Sequence, residues 1–308
     1  MKLKFYQTEI LNPYRNLALE RYFTEKIKDG EYIIYFWTNK DTIVIGRNQY
    51  AYDQFNEKET QKDGIKIARR LSGGGAVYHD INNLNFSFVM NAARFDKNSG
   101  YDIIIRALKS LGIDAEKSGR NDMTADGRKF SGNAFLSRGD IYCHHGTILI
   151  DTDKERMEKY LNVPKDKLAG KGVQSVKSRV VNLAELDKDI GKESIMHAVW
   201  TAAAGFFGEP AEVFGDEYFD AEELAAGERF FSDKRYIFGE KLAGYVRRSA
   251  RTEIGQVDLY VKIMENSVAD IKIFTDSMAL PDVERARKAL IGTDAEGATP
   301  EYVSGLLG

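Results

Sequence analysis

The residues best suited to chemistry lie in three short stretches. The first is Arg69-Arg70-Leu71-Ser72-Gly73-Gly74-Gly75-Ala76-Val77-Tyr78-His79-Asp80. The second is Gly119-Arg120-Asn121-Asp122, and the third is Arg128-Lys129-Phe130-Ser131-Gly132-Asn133-Ala134. Three consecutive glycines after a basic pair are poor core material. They give backbone that takes positive φ, exposes its N–H groups and lets a ligand come close. Arg70 and Lys129 add positive charge, so the combination suits a bound phosphate or carboxylate. A plain turn between two strands accounts for one or two glycines more readily than for three in a row, which favours binding. Neither the Gly-Lys-Ser/Thr ending of a Walker A loop nor the spaced G-x-G-x-x-G of dinucleotide sites is present. The pattern says that a ligand meets backbone here, without naming the ligand.

Lys129 follows a turn glycine and precedes the small polar run Ser131-Gly132-Asn133. A lysine held in such a groove is a fixed point charge for anionic oxygens; the ordinary alternative is an exposed strand lysine. Asp122 carries the carboxylate that Mg²⁺ uses beside substrate phosphates, and Asn121-Asp122 reads equally as a turn. His144-His145 suggests metal or acid–base work, yet neighbours in a strand point to opposite faces, so a structural role is preferred for both. Cys143, the one cysteine, reads as a buried inert thiol rather than a nucleophile. His79-Asp80 reads as a turn with a hydrogen-bonded histidine in preference to a catalytic dyad. Lys171 to Val180 is basic, rich in small residues and aperiodic: an exposed loop, or a mobile cover over phosphates.

Several elements must position these groups. Leu17 to Phe23 has amphipathic helical spacing, with Leu19, Tyr22 and Phe23 on one side. Tyr32–Trp37 and Thr42–Ile45 read as strands joined in a hairpin by Asn39-Lys40-Asp41. Further strands are expected at 66–70, 85–90, 129–136 and 146–150, with a tight turn at Ala125–Arg128. Helices are expected at 101–111, ending at the natural cap Gly112, and at 154–161 and 192–207. From Glu209 to Asp233 there are nine acidic residues and one base, which reads as a solvated surface segment. A hairpin over 254–277 and helices at 282–290 and 300–307 make a small C-terminal unit. Short strands, hairpins and interspersed helices without a βαβ rhythm indicate an α+β fold with a mixed or antiparallel sheet.

Composition narrows the class. The chain has 308 residues, 43% hydrophobic and 30% charged, as expected of a soluble globular enzyme of one large domain or a large plus a small one. A net charge of −3 supplies no global positive field and argues against a nucleic-acid binder. One cysteine forms no internal disulfide and fits a reducing cytoplasm. Neither a signal peptide nor an apolar run of the roughly 20 residues needed to span a bilayer is evident, so no membrane partner is expected.

The order RRLSGGGAVYHD, GRNDM, DGRKFSGNA, HHGTILI and KGVQSVKSRVVNL closely resembles the bacterial lipoate–protein ligase A family over about the first 210 residues. Ile271 to Ser277 is similar, more loosely, to the accessory domain of those ligases, whereas Phe230 to Arg251 departs from their pattern. The resemblance implies a catalytic domain of the biotin/lipoate-ligase fold, related to class II aminoacyl-tRNA synthetases, over residues 1–238. A small α+β accessory domain would follow over 239–308. It implies use of ATP and Mg²⁺ to convert lipoate, with octanoate a second candidate, to an acyl-adenylate with release of pyrophosphate. The lipoyl group would then pass to one lysine of an apo lipoyl domain, either of a 2-oxoacid dehydrogenase E2 subunit or of the glycine cleavage H protein. A cytoplasmic monomer is implied.

By position, Lys129 would be the catalytic residue, touching both the lipoyl carboxyl and the α-phosphate. Arg70, the backbone of Gly75, Ala76, Val77 and Tyr78, and Asn121, Asp122, Lys171, Ser178 and Arg179 would serve the nucleotide, with Asp122 as a Mg²⁺ ligand. Ser72, Gly73, Gly74, Gly75, His79, Ser131 and Gly132 would join Lys129 around lipoate. The rival enzyme is a lipoyl or octanoyl transferase of the same fold, which uses a cysteine nucleophile near the position of Asn121-Asp122, where this chain has none. A biotin ligase has a different glycine- and arginine-rich loop. A non-catalytic lipoate- or carrier-binding protein is the third reading, and Arg70, Asp122 and Lys129 weigh against it.

Overall fold

A computed structural model describes residues 1–162, 179–279 and 281–307. Eight strands form one mixed sheet in the order β11 (Ala211–Val213), β1 (Lys2–Gln7), β2 (Glu31–Trp37), β6 (Asn83–Asn91), β10 (Ile141–Leu149), β9 (Arg128–Arg138), β8 (Asp122–Ala125) and β7 (Ala115–Ser118). β1 runs parallel to β11 and β2, and every pair from β2 to β7 is antiparallel. All of β2 is buried, which is why it reads as an unbroken apolar run rather than an alternating one.

Alternation along the strands then divides the core into two layers. Tyr32, Ile34, Phe36, Phe86, Phe88 and Met90 meet the helices α3 (Ser99–Ser110) and α5 (Lys192–Phe207) on one face. Ile33, Tyr35, Trp37, Val89 and Cys143 meet helix α1 (Pro13–Lys26) and helix α6 (Ala221–Ser232) on the other. Ser72 of the glycine loop reaches this second side at His145, while Phe130, next to Lys129, belongs to the first.

A separate small sheet has the order β4 (Lys66–Arg69), β3 (Thr42–Ile45), β5 (Val77–His79). The hairpin expected between β2 and β3 does not form. Both edges of β2 are already paired, with β1 and β6, so β3 turns away and pairs with β4 and β5 instead. Its Ile43 and Ile45 enter a separate core with Phe55, Tyr78 and Tyr160. β10 also starts earlier than its apolar signal, because Cys143, His144 and His145 are inside the strand and buried.

The acidic 209–233 segment is not simply solvated. Its helix α6 packs along α1 and buries Leu224 and Phe231 while its acids face outward, Glu223 pairing with Lys26 and Glu228 with Arg15. Beyond it, β12 (Val246–Thr252), β13 (Gly255–Met264) and β14 (Ser267–Thr275) form an antiparallel sheet. β13 and β14 turn through Glu265 and Asn266, both at positive φ. Helices α8 (Val283–Leu290) and α9 (Pro300–Leu307) close a core of Val257, Leu259, Val261, Ile271 and Ala286. β12 had no sequence signal because it is a polar edge strand, Val-Arg-Arg-Ser-Ala-Arg-Thr, with no face fully buried.

Candidate active site

Residues 70–76 connect β4 to β5, so the glycine loop leaves the small sheet and returns to it. Gly74 has φ +89°, which an L side chain rarely adopts. The backbone approaches are close: a Cβ on Gly46 would lie 2.0 Å from the Gly74 carbonyl oxygen, and one on Gly73 would lie 2.1 Å from that of Ser277. The Gly74 N–H donates to Ser277 at 3.3 Å, so the C-terminal domain rests on this loop. Tyr50 packs on Tyr260 and Phe274, Arg247 pairs with Asp53, and Arg120 donates to the Glu253 carbonyl, which extends that contact.

Two arginines hold the loop from beneath. Arg69 is buried and donates to the carbonyls of Gly46, Arg47, Gln49, Tyr236 and Ile237. Arg70 is buried as well. Its Nε donates to Ser72 Oγ at 3.0 Å and to the Gly73 carbonyl at 3.1 Å, Nη2 to Gly73 at 2.6 Å and Gly75 at 2.8 Å, and Nη1 to Val44 at 3.2 Å. Burial pushes both guanidinium groups down to about 10, which leaves them charged at neutral pH. Arg70 therefore faces the loop's own carbonyls. Gly75, Ala76 and Val77 beyond it are half-buried, and β5 has β3 on one side only, so its outer edge presents backbone.

Lys129 and Asp122 come from β9 and β8. The turn between those strands, Asp126-Gly127, has positive φ at both residues. A bulge follows it: Thr124 pairs with Lys129 but Met123 pairs with Ser131, so Phe130 is the extra residue. Lys129 Nζ then lies 2.7 Å from Asp122 Oδ1, with both side chains 38% exposed. It lies over Gly132, where a Cβ would be 3.0 Å from Nζ and 3.2 Å from Cε. The Gly132 N–H donates to Thr147 Oγ1 at 3.3 Å. Ser131 is buried and accepts from Asn133 Nδ2. Asn121 is turned toward β9, donating to the Asn133 carbonyl at 2.7 Å and accepting the Asn133 N–H at 2.8 Å.

Downstream of the undescribed stretch the chain returns to this lysine. Val180 forms a parallel bridge with Lys129, and the Val181 N–H donates to the Lys129 carbonyl at 2.8 Å. Arg179 thus adjoins the site; Lys171 and Ser178 lie outside the described residues.

A buried polar cluster backs the loop on the α1 side of the large sheet. His79 Nδ1 lies 3.2 Å from Asn39 Nδ2, while Asn39 Oδ1 accepts from Asn16. Asn39 is therefore the donor, the His79 proton is on Nε2, and that buried N–H has no partner among the described residues. Burial, with the nearby Arg70 and His145, pushes His79 down to about 3 and keeps it neutral. His144 and His145 point to opposite faces, His144 into Phe86, Phe88, Tyr101 and Phe135, and His145 toward Glu20 and Ser72. Ligand atoms of Glu20, Cys143 and His145 lie within 4.8 Å of one another. The Glu20 and His145 donors are bonded to each other, and burial pushes the Cys143 thiol well above its ordinary value, so the trio does not read as a metal centre.

Glu20 was missed in the sequence. Leu17, Glu20 and Phe23 share one spacing, so the carboxylate sits inside the buried stripe of α1; that position was the available signal.

The chain is similar to known proteins over nearly its full length. Residues 12–204 match the family model for the lipoyl protein ligase A/B catalytic domain, and 245–299 match that for the bacterial lipoate protein ligase C-terminus. The lipoate-protein ligase A of Psychrobacter cryohalolentis is 33% identical over 301 residues, covering 94% of this chain and 88% of that protein. That of Bdellovibrio bacteriovorus is 33% identical over 306 residues, covering 96% and 89%. Among solved structures, P. falciparum LipL1 in complex with lipoate superposes with TM-score 0.79 at 26% identity, covering 95% of this chain and 90% of that one. The bipartite lipoate protein ligase of Thermoplasma acidophilum, studied with its E2 lipoyl domain, gives 0.65 at 25%, covering 77% and 96%. The first family match spans both the glycine loop and Lys129, the second spans the domain resting on that loop, and the chain belongs to the lipoate–protein ligase A family.

Proposed function

We propose that Lys129 is the working cation of an ATP-dependent lipoate–protein ligase. The observation that carries this is a half-exposed ammonium held on Asp122 and over Gly132, in a fold that also has an open backbone edge and a glycine loop. In the first half-reaction a lipoate carboxylate oxygen attacks the α-phosphorus of ATP, the bond to the bridging oxygen breaks, and pyrophosphate leaves. Two anions must approach, and a fixed cation between them lowers the barrier. In the second, the uncharged amine of a carrier lysine attacks the acyl carbon, the bond to AMP breaks and the amine loses a proton. Lys129 then polarises the acyl oxygen.

The edge backbone of Gly75 to Tyr78 supports a nucleotide there, with Arg70 shaping it from behind and Arg179, Lys171 and Ser178 serving the phosphates. Asn121 holds β9 and hence the Lys129 bulge. Ser72 to Gly75 with Ser131 and Gly132 line the acyl side, and the unpartnered Nε2–H of His79 supplies a donor. Asp122 offers the hard oxygen that Mg²⁺ takes, next to where phosphates would lie; the ion would neutralise phosphate charge. We divide the chain at 238/239 into catalytic and accessory domains. The carriers we assign are E2 lipoyl domains, as in the Thermoplasma pair, and the glycine cleavage H protein, with octanoate a second acyl substrate and the protein a cytoplasmic monomer.

Purified protein should exchange labelled pyrophosphate into ATP only when lipoate is present, and should then lipoylate an added apo lipoyl domain. No exchange would overturn the reading. The transferase alternative needs a reactive thiol, and the chain's one cysteine, Cys143, is buried with its thiol pushed well up.

A further inference from the structure

His144 is a buried polar side chain that the ligase mechanism does not use. It faces the α3 layer, among the rings of Phe86, Phe88, Tyr101 and Phe135. Two glycines make room for it and for its partner. A Cβ on Gly100 of α3 would collide with His144 Nδ1, and one on Gly146 of β10 would lie 2.7 Å from Asn133 Oδ1. His144 Nε2 lies 2.8 Å from that same Asn133 oxygen. An apolar ring would fill this aromatic cage with no polar group to desolvate, so the imidazole has a polar task.

The donors assign the protons. Asn133 Nδ2 donates to the Asn121 carbonyl at 3.0 Å and to Ser131 Oγ at 3.3 Å, so Oδ1 is the acceptor that meets His144. Burial, with His145 and Lys117, pushes His144 down to about 3, so the ring holds one proton at neutral pH. That proton is on Nε2, and Nδ1 has no partner among the described residues. Imidazole and amide therefore form one directed path, from His144 through Asn133 to the Asn121 carbonyl.

Asn121 and Asn133 clasp the two strands at one end of the β8–β9 ladder. The Asn133 N–H donates to the Asn121 carbonyl at 2.8 Å, and Asn121 Nδ2 donates to the Asn133 carbonyl at 2.7 Å. The next pair inward is Asp122 with Gly132, and the Asp122 carboxylate holds Lys129 over Gly132. Two pairs further in, the ladder shifts by one residue at the Phe130 bulge. A bulge disrupts the ladder locally, so the register on its far side needs its own anchor; a slip of one residue there would turn Asp122 to the other face. The clasp pins that register, and His144 on β10 holds the Asn133 amide in the orientation that makes it.

We propose that His144 is a positioning residue for the adenylation step, acting through Asn133 and Asn121 to hold Asp122 and Lys129 in register. This rests on the ligase reading above. Lipoate-dependent pyrophosphate exchange is measured at saturating ATP and lipoate, well below each unfolding midpoint. The proteins are the wild-type full chain, His144→Phe, His144→Gln, Asn133→Ala and the His144→Phe, Asn133→Ala double variant. Phenylalanine suits the aromatic cage but cannot donate; glutamine suits it less and carries a donor near the place of Nε2. His144→Phe should lower the exchange rate by about tenfold, the order expected when a fixed charge is displaced, and His144→Gln should recover most of it. A core histidine that only packs predicts the reverse order. In the Asn133→Ala background His144→Phe should alter the rate by less than about twofold, because the path is already cut. A phenylalanine variant at or above the glutamine variant, or losses that multiply in the double variant, overturn the proposal. If the variants fail to fold, ¹⁵N NMR of the wild-type chain decides: a His144 proton on Nε2 alone is expected at about pH 7, and one on Nδ1 overturns the path. Wild-type protein without exchange sinks the ligase reading instead, and the tautomer measurement still judges this one.

Discussion

Gly132→Ala moves the Lys129 charge without removing it, and because Gly132 also lines the proposed acyl side the effect is read at saturating lipoate. The added Cβ would stand 3.0 Å from Nζ and 3.2 Å from Cε of Lys129 and meets no backbone there. The atoms in its way are the far end of a flexible side chain, so the lysine gives and the strand does not. Gly132 is not at positive φ, so alanine is tolerated and removes some freedom from the unfolded chain; stability should hold or rise by about 0.4–1 kcal/mol. The ammonium, however, must give by a few tenths of an ångström, which disturbs its 2.7 Å contact with Asp122 and its place over Gly132. Removing a charge aimed at a transition state costs about 10²–10³ in rate. Displacing it should cost less, on the order of tenfold or about 1.4 kcal/mol, with misplacement by a full ångström reaching about 10². The assay is lipoate-dependent pyrophosphate exchange, run beside urea unfolding, with Lys129→Ala as the lower bound. Loss of exchange at undiminished stability is expected. Wild-type exchange by Gly132→Ala would mean that the lysine does not act from this position, and a parallel fall in stability would mean that the strand, not the charge, was disturbed.

Stability should fall in acid through two histidines. Burial, with neighbouring positive groups, pushes His79 and His144 down to about 3, so between about pH 6.5 and pH 3 the unfolded chain binds protons that the folded one does not. The contribution is complete above the unfolded value and lost as pH drops, at about 1.4 kcal/mol per unit for each histidine; equal urea midpoints at about pH 7.5 and about pH 5 would refute it. Phe231→Ala in α6 should cost about 3–5 kcal/mol, because that acidic segment is anchored on α1, whereas Glu223→Ala removes only an exposed ion pair and should shift stability far less; similar urea midpoints for the two would count against the packing. Arg70→Lys should lower stability by leaving buried carbonyls unmatched at about 1–3 kcal/mol each, while Lys129→Arg should leave stability unchanged and depress exchange. The reverse pattern would show that the two cations have been assigned to the wrong tasks.

The glycine loop and the Lys129 groove were legible because their signals are local: three glycines, a turn, a lysine between small residues. The β2–β3 hairpin was misread for a non-local reason. A turn sequence reports that the chain bends, not which edges are free, and β2 has none. The acidic helix was underread because its charges outnumber the two large residues that anchor it, Leu224 and Phe231. β12 carries almost no apolar pattern, since an edge strand needs little. The orientation of Arg70 was not legible at all. A basic residue beside a glycine loop looks the same in sequence whether it faces a ligand or the loop's own carbonyls.

That ambiguity has a physical resolution in the side chains themselves. Arg69, Arg70 and Lys129 look alike as cations in the sequence, and the fold uses them differently. Arg69 and Arg70 have planar forks with five donors each, enough to satisfy a cage of carbonyls that no strand pairing reaches. Their burial lowers them only to about 10, so they remain charged at neutral pH. Lysine cannot fill such a cage, because three donors on one atom do not span carbonyls on both sides of a loop. Where one charge must serve two anions in succession, the requirement is reversed: a compact, half-exposed ammonium on a flexible stem can shift between them, and a guanidinium locked by its own geometry cannot. The arginines thus set the shape of the loop, and the lysine, half-exposed and paired with Asp122, suits the role proposed for it.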